Sequence, residues 1–214
     1  SCSKPNLLNI PKSSDIRSLF IAPEGWKLID IDYSQAELVL LAYLSQDKQF
    51  MKDVGEIDFH TATAKSIMKM EEINSEIRRK AKGVNFLNAY GGGAKKLSKN
   101  LKITEAEAWQ WLKGWNETYP EVGRFKKMQK DAWREKHYIE GIYGRKKRFP
   151  PALNTEIESY YDRIAVNFMC QNGVGDAINT ALIDIDYLLG KLFGWTPESI
   201  YKVPGIVLSV YDSI

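Results

Sequence analysis

Cysteine is scarce in this sequence: Cys2 and Cys170 are the only two. Nothing around them points to export. A disulfide scaffold and a thiolate metal centre are therefore set aside, and two free thiols in a reducing compartment are expected. Long apolar runs are missing as well. The longest, Leu38 to Leu44, is far too short to span a bilayer. The residues after Ser1 lack the basic, apolar, small-residue order of a secretory leader. There is no strong excess of one charge either: 30 Lys and Arg against 27 Asp and Glu leave +3, which alone announces no polyanionic partner.

What is present is a chain of 214 residues, 44% hydrophobic, long enough for one large domain or two small ones with a real core. The basic residues are unevenly spread. Lys95, Lys96, Lys99 and Lys102 cluster, as do Lys126, Lys127, Lys130, Arg134 and Lys136, and Arg145 to Arg148 is an unbroken basic run. Such clusters either neutralise phosphates or form solvated faces, and charge alone does not choose.

The patterning predicts an α+β chain dominated by helices, with a small sheet built from distant segments. Ser1 to Pro11 reads as an extended loop, and Trp26 to Tyr33 alternates as a buried strand. Helices are expected over Leu38 to Leu44, over Asp58 to Met70 with Asp58 as cap, and from Ser75, itself a cap, to Tyr90. Gly91-Gly92-Gly93 stops that last helix. Thr104 should cap a helix carrying Trp109, Leu112 and Trp115 on one face, followed by a helix from Glu121 to Lys136. Tyr138 to Phe149 reads as a hairpin with a Gly turn, Glu156 to Leu192 as one or two long helices, and Val203 to Ile214 as a strand.

Three stretches carry chemistry. Asp32, at a strand end just before a helix, can hold a hard metal ion, although Asp30 shares its face by alternation and spacing does not separate them. The same hexapeptide LIDIDY recurs at Leu182 to Tyr187, but in a helical context where Asp184 and Asp186 diverge, so that copy reads as helix surface. In the helix from Ser75, the residues Arg78, Lys82, Phe86 and Tyr90 fall four apart along one face. Cations followed by aromatics suit a nucleotide, phosphates at one end and sugar and base at the other; an amphipathic helix with basic edges is the plainer reading. Asp212 then places a second carboxylate in a strand, and two such carboxylates can hold the metal pair used for in-line phosphoryl transfer.

Taken in order, these stretches resemble the family A DNA polymerases, of which bacterial DNA polymerase I is the type. IAPEGW leads into Asp32-Tyr33-Ser34-Gln35-Ala36-Glu37-Leu38, which resembles motif A. Asp58-Phe59-His60 resembles the Asp-x-His that opens the fingers. Arg78, Lys82, Asn85, Phe86, Tyr90 and Gly91 match motif B. Gly144 to Pro150 resembles the basic turn after the fingers. Arg163, Asn167 and Gln171 match the palm helix, and Val210-Tyr211-Asp212-Ser213 resembles motif C.

The resemblance implies a polymerase palm, a small antiparallel sheet backed by helices, with a mostly helical fingers subdomain inserted. It divides the chain into palm over 1–50, fingers over 51–152 with the motif B helix at 75–90, and palm again over 153–214. It implies two Mg2+ ions, with Mn2+ as a substitute, held by Asp32, Asp212 and the Tyr33 carbonyl. Lys82 and Arg78 would hold the triphosphate, Lys82 also serving the leaving group. Ser34, Gln35, Glu37, Phe86 and Tyr90 would complete the nucleotide site, with Glu37 excluding a 2′-hydroxyl. Arg145, Arg163, Asn167 and Gln171 would contact DNA. The implied partners are primer-template DNA and deoxynucleoside triphosphates, with no membrane, in a monomer of a bacterial or virus-infected cytoplasm. Thumb and exonuclease domains are absent from the sequence, so a weak fragment of a longer enzyme is expected.

Three positions depart from the family pattern. Ser213 stands where motif C usually has Glu, Val39 where motif A usually has Arg, and Asn172 where Gly usually follows the palm-helix Gln. The first removes a negative charge from the metal site. Two other readings stay open: a single-subunit RNA polymerase, against which Glu37 and the Asn85-Phe86 pair speak, and a non-catalytic nucleic-acid-binding module, which the lost Glu favours.

Overall fold

The computed structural model describes residues 15, 17–194 and 204–206. The expected loop at Ser1 to Pro11 and nearly all of the expected strand from Val203 lie outside these residues. The chain divides into two compact units, one formed by Gln35–Val174 and the other by Ser1–Ser34 with Gly175–Ile214. Helices dominate the first unit, which also holds a two-stranded antiparallel sheet. The fold is α+β, as expected.

Gln35 opens the larger unit in a left-handed conformation, after which Ala36–Ser45 forms helix α1. A short helix that the patterning did not announce, α2 at Lys48–Val54, is capped by the Asp47 side chain, which accepts from Phe50 N. Helix α3 runs over Phe59–Met68, with Asp58 as its cap, as expected. Helix α4 runs over Ser75–Ala89, but Asn74 rather than Ser75 caps it: its Oδ1 accepts from Ile77 N. An amide oxygen one residue earlier reaches the third helical N–H, leaving Ser75 as the first helical residue. Gly91 ends α4 at φ 72°, a conformation that a β-carbon disfavours, while Gly92 N reaches back to Leu87 O.

Helix α5, Ala94–Leu101, was also unannounced; it carries Lys95, Lys96 and Lys99 to solvent. Helix α6 occupies Glu105–Thr118 behind its Thr104 cap. Its buried stripe is Ala108, Trp111, Leu112 and Trp115; Trp109 points out, 58% exposed, with Lys113 over its ring. Steps of three and four from Trp115 reach 112, 111 and 108, and 109 falls off that face. Helix α7, Pro120–Lys136, leads into strands β1, Tyr138–Glu140, and β2, Lys146–Arg148, paired Tyr138 to Arg148 around a turn containing Gly144 at φ 80°. One continuous helix, α8, spans Thr155–Phe193. Asp184 and Asp186 lie exposed on it, as the helical reading of the second LIDIDY copy requires.

The main core packs Leu38, Leu41, Phe50, Phe59, Val84, Leu97, Trp115 and Val122, drawn from α1 through α7. A second cluster joins Trp133, Ile139, Phe149 and Ala165. Trp115, Tyr119 and Phe50 meet edge to face with centroids 4.8–5.5 Å apart, geometry that adds to burial alone.

In the smaller unit the strand expected over Trp26 to Tyr33 is corrected. Only Asp32 makes a bridge, and Leu28, Ile29 and Ile31 are exposed at 54%, 78% and 52%. Alternation supplies a face for a sheet; it supplies no ladder unless another strand offers one.

Candidate functional site

Helix α4 positions the central candidates. Steps of four place Arg78, Lys82, Phe86 and Tyr90 along one face, and all but half-buried Tyr90 are exposed. Arg78 is already engaged: its Nε donates to Asp58 Oδ2 at 2.7 Å and its Nη2 to Oδ1 at 3.1 Å. This bidentate pair holds the Asp58 carboxyl well below the usual carboxylate range. An incoming anion must therefore use the remaining Nη1–H and Nη2–H donors of Arg78 or compete with Asp58. Lys80 is bound to Glu107 at 2.7 Å and Glu76 at 3.1 Å. Lys82 differs: among the described residues it forms no ion pair and stays exposed.

His60, at the start of α3, faces the same cations. Burial lowers its pKa, and the charges of Lys82 and Arg78 lower it further, partly offset by Asp58. The ring is therefore neutral near pH 7. Its tautomer follows from a chain of donors. Trp115 Nε1, which can only donate, reaches Asn85 Oδ1 at 2.9 Å and so fixes the Asn85 amide. Asn85 Nδ2 then lies 3.1 Å from His60 Nδ1 and 3.1 Å from Thr63 Oγ1. Thr63 spends its own proton on Phe59 O, so it accepts. His60 Nδ1 accepts likewise, which leaves the proton on Nε2. Phe86 lies beside the ring at a tilt, centroids 5.7 Å apart and planes at 55°. Sequence reading named none of Trp115, Thr63 or Asn85 as supports, because hydrogen bonds between helices 22 and 30 residues apart leave no local pattern.

Beyond Tyr90, a cleft of about 570 Å³ is lined by Phe86, Tyr90, Gly91, Lys96, Asn100 and Arg163, among others. The structure thus brings Tyr90 and Arg163 together. Asn167 and Gln171 follow Arg163 on α8 at four-residue steps; Gln171 is exposed, and the buried Oδ1 of Asn167 has no hydrogen-bond partner among the described residues. The same holds for the buried Oε1 of Gln35. Orphaned acceptors are rare in folded interiors, so each oxygen is open to a donor, whether water or a bound molecule. Glu37 sits half-buried in the first turn of α1. Arg145 is exposed in the β1–β2 hairpin.

Asp32, Tyr33 and Ser34 are exposed in the smaller unit, while Tyr211 and Asp212 lie outside the described residues. Among the described residues no three His, Cys, Asp or Glu side chains form a metal-binding group. No described helix is long and apolar enough to cross a membrane. Three members of the α7 basic cluster are paired or buried, while Lys127 and Lys136 stay exposed. Arg134 Nη2 lies 2.8 Å from Asp162 Oδ1, Lys130 lies 4.0 Å from Oδ2, and Lys126 is buried.

Residues 1–213 match the family described as DNA polymerase family A. DNA polymerase I of Rhizobium leguminosarum is 35% identical over 195 residues, covering 87% of this chain and 19% of that protein. DNA polymerase I of Treponema pallidum (strain Nichols) is 37% identical over 194 residues, covering 86% and 20%. The polymerase domain of Pol1 from M. smegmatis, solved in complex with DNA primer-template and dNTP, superposes with a TM-score of 0.86 at 29% identity, over 99% of this chain and 38% of that one. The chain therefore spans about a fifth of the length of these curated relatives.

Proposed function

The chain belongs to DNA polymerase family A, and from that premise we propose that it forms the palm and fingers of an enzyme that adds deoxynucleotides to a primer 3′ end as a template directs. One observation carries this reading: Lys82, unpaired among the described residues, beside neutral His60, with Phe86 one turn further along α4 and Tyr90 at its C-cap. A charge-bearing end and an aromatic end lie one nucleotide's length apart, since eight residues of helix rise about 12 Å.

In this reading Lys82 and Arg78 hold the triphosphate and His60 donates Nε2–H to it. Phe86 supports the sugar, Tyr90 borders the new base pair, and Glu37 closes the space a 2′-hydroxyl would need. Ser34 and Gln35 line the same nucleotide site. Arg145, Arg163, Asn167 and Gln171 hold the DNA, the orphaned oxygens of Gln35 and Asn167 accepting donors from the bound substrates. Asp32 and Asp212 would hold two divalent cations, with the Tyr33 carbonyl beside them. This is a hard-oxygen donor set that suits magnesium, or manganese in its place. When bound, such ions lower the pKa of the primer 3′-hydroxyl and stabilise the leaving pyrophosphate. Lys82 adds positive charge, or a proton, at the leaving group.

Removal of Lys82 by Lys82→Ala should cost about 2–4 kcal/mol of transition-state stabilisation, read as kcat/KM for a single nucleotide. Lys99→Ala removes an exposed, screened charge on α5 and should change kcat/KM by less than about twofold. Equal small effects would remove Lys82 from the site. Glu37→Ala should raise ribonucleotide incorporation relative to deoxynucleotide incorporation by about tenfold or more, and an unchanged ratio would count against the sugar-excluding role.

A further inference from the structure

Lys126 is an ammonium in the wrong place for a surface lysine. It lies on the buried stripe of α7 with Val122, Phe125, Gln129 and Trp133, and only 9% of it is exposed. Its partners among the described residues are neutral. Nζ donates to the main-chain oxygen of Asn88 at 2.5 Å and reaches Asn88 Oδ1 at 3.3 Å. It also stands 4.9 Å from the centroid of the Trp115 ring. Asn88 is in the last turn of α4, one turn before Gly91 breaks the helix, and its side-chain nitrogen donates onward to Asn116 Oδ1 at 3.1 Å. The titratable groups around the ammonium are Cys170 on α8, Lys130 one turn along α7, and Glu37 on α1, which acts on Cys170.

An apolar side chain would fill this site without the cost of burying a charge. What the ammonium adds is a grip on the negative end of α4 and on the ring that fixes Asn85. We propose that Lys126 is a positioning residue that holds the C-terminal turn of the nucleotide-binding helix, so that affinity for the incoming nucleotide depends on this buried cation.

The inference rests on the polymerase reading above. Burial pushes the Lys126 pKa down to about 7, with Lys130 pushing the same way and Cys170 opposing. The cation is therefore present below about pH 7 and lost above it. The folded pKa lies below the ordinary value of 10.5, so the unfolded chain binds the extra proton between those values. Stability from this group therefore rises with pH through that window.

The test is Lys126→Met in the natural full-length polypeptide that carries these residues, measured by single-nucleotide extension and by thermal unfolding. Expected are a higher Tm than wild type at pH 6, a gap that begins to narrow above about pH 7 and closes only toward pH 10.5, and a KM for deoxynucleotide raised about tenfold with kcat changed less than about twofold. The wild-type advantage in kcat/KM should be largest at pH 6 and shrink by pH 8.5. Lys126→Gln, neutral but still a donor, should fall between the two in KM. It decides the matter if the Met variant does not fold. Wild-type KM and an unaltered pH profile in a folded variant would overturn the role. Failure of the wild-type protein to extend a primer at all would instead overturn the reading beneath it.

Discussion

Primer extension should fall by about a thousandfold or more when Asp32 is replaced by Asn in the full-length polypeptide, because a metal-assisted phosphoryl transfer loses several kcal/mol with a charge-bearing ligand. The substitution keeps shape and hydrogen-bonding capacity while removing charge. Asp32 is exposed and lies outside the helical core of the larger unit, so folding should be untouched. Circular dichroism and primer-template affinity should match wild type while incorporation disappears. Asp30→Asn is the matched control, since alternation alone cannot separate the two carboxylates. Near wild-type extension by Asp32→Asn, or loss only in Asp30→Asn, would move the metal site.

Trp115→Ala should have the largest effect on stability, about 3–5 kcal/mol. Trp115 is fully buried, meets Phe50 and Tyr119 edge to face, donates to Asn85 and lies beneath Lys126. Trp115→Phe separates the roles: the ring stays, the N–H goes, and buried Asn85 Oδ1 is left unpaired at a cost of about 1–3 kcal/mol. The Asn85 amide is then free to turn and His60 loses its fixed tautomer. Hydrogen exchange in α4 and α6 should rise in both variants, and the nitrogen resonances of His60 should report mixed tautomers in Trp115→Phe. Unchanged exchange in Trp115→Ala would contradict the core assignment.

Local signals were legible where the chain acts locally. Asp58 and Thr104 cap the helices expected of them, Gly91 ends α4, and the four-residue spacing from Arg78 to Tyr90 is real. Helices α2 and α5 were missed because each is short, and the lysines of α5 read as a charge cluster rather than as one side of an amphipathic turn. Trp109 is expected on one face with Leu112 and Trp115, but steps of three and four from Trp115 exclude it. Over Trp26 to Tyr33 the described residues show a bridge at Asp32 and no ladder, and alternation within one segment does not say what it pairs with. At the site, spacing placed Arg78 on the nucleotide-suited face, but its engagement by Asp58 spans 20 residues and is invisible locally. Lys126 was grouped with exposed lysines, yet Val122, Phe125, Gln129 and Trp133 already outline a stripe that includes it, so the phase of α7 held the clue.

Single-nucleotide primer extension by the full-length polypeptide tests the central claim most directly. Deoxy- and ribonucleotides are supplied separately, with and without magnesium, on templates that differ at one base. The expected result is incorporation of the complementary deoxynucleotide alone, dependent on the metal ion and largely lost in Lys82→Ala. Salt-sensitive DNA binding without incorporation, or equal use of ribonucleotides, would contradict it.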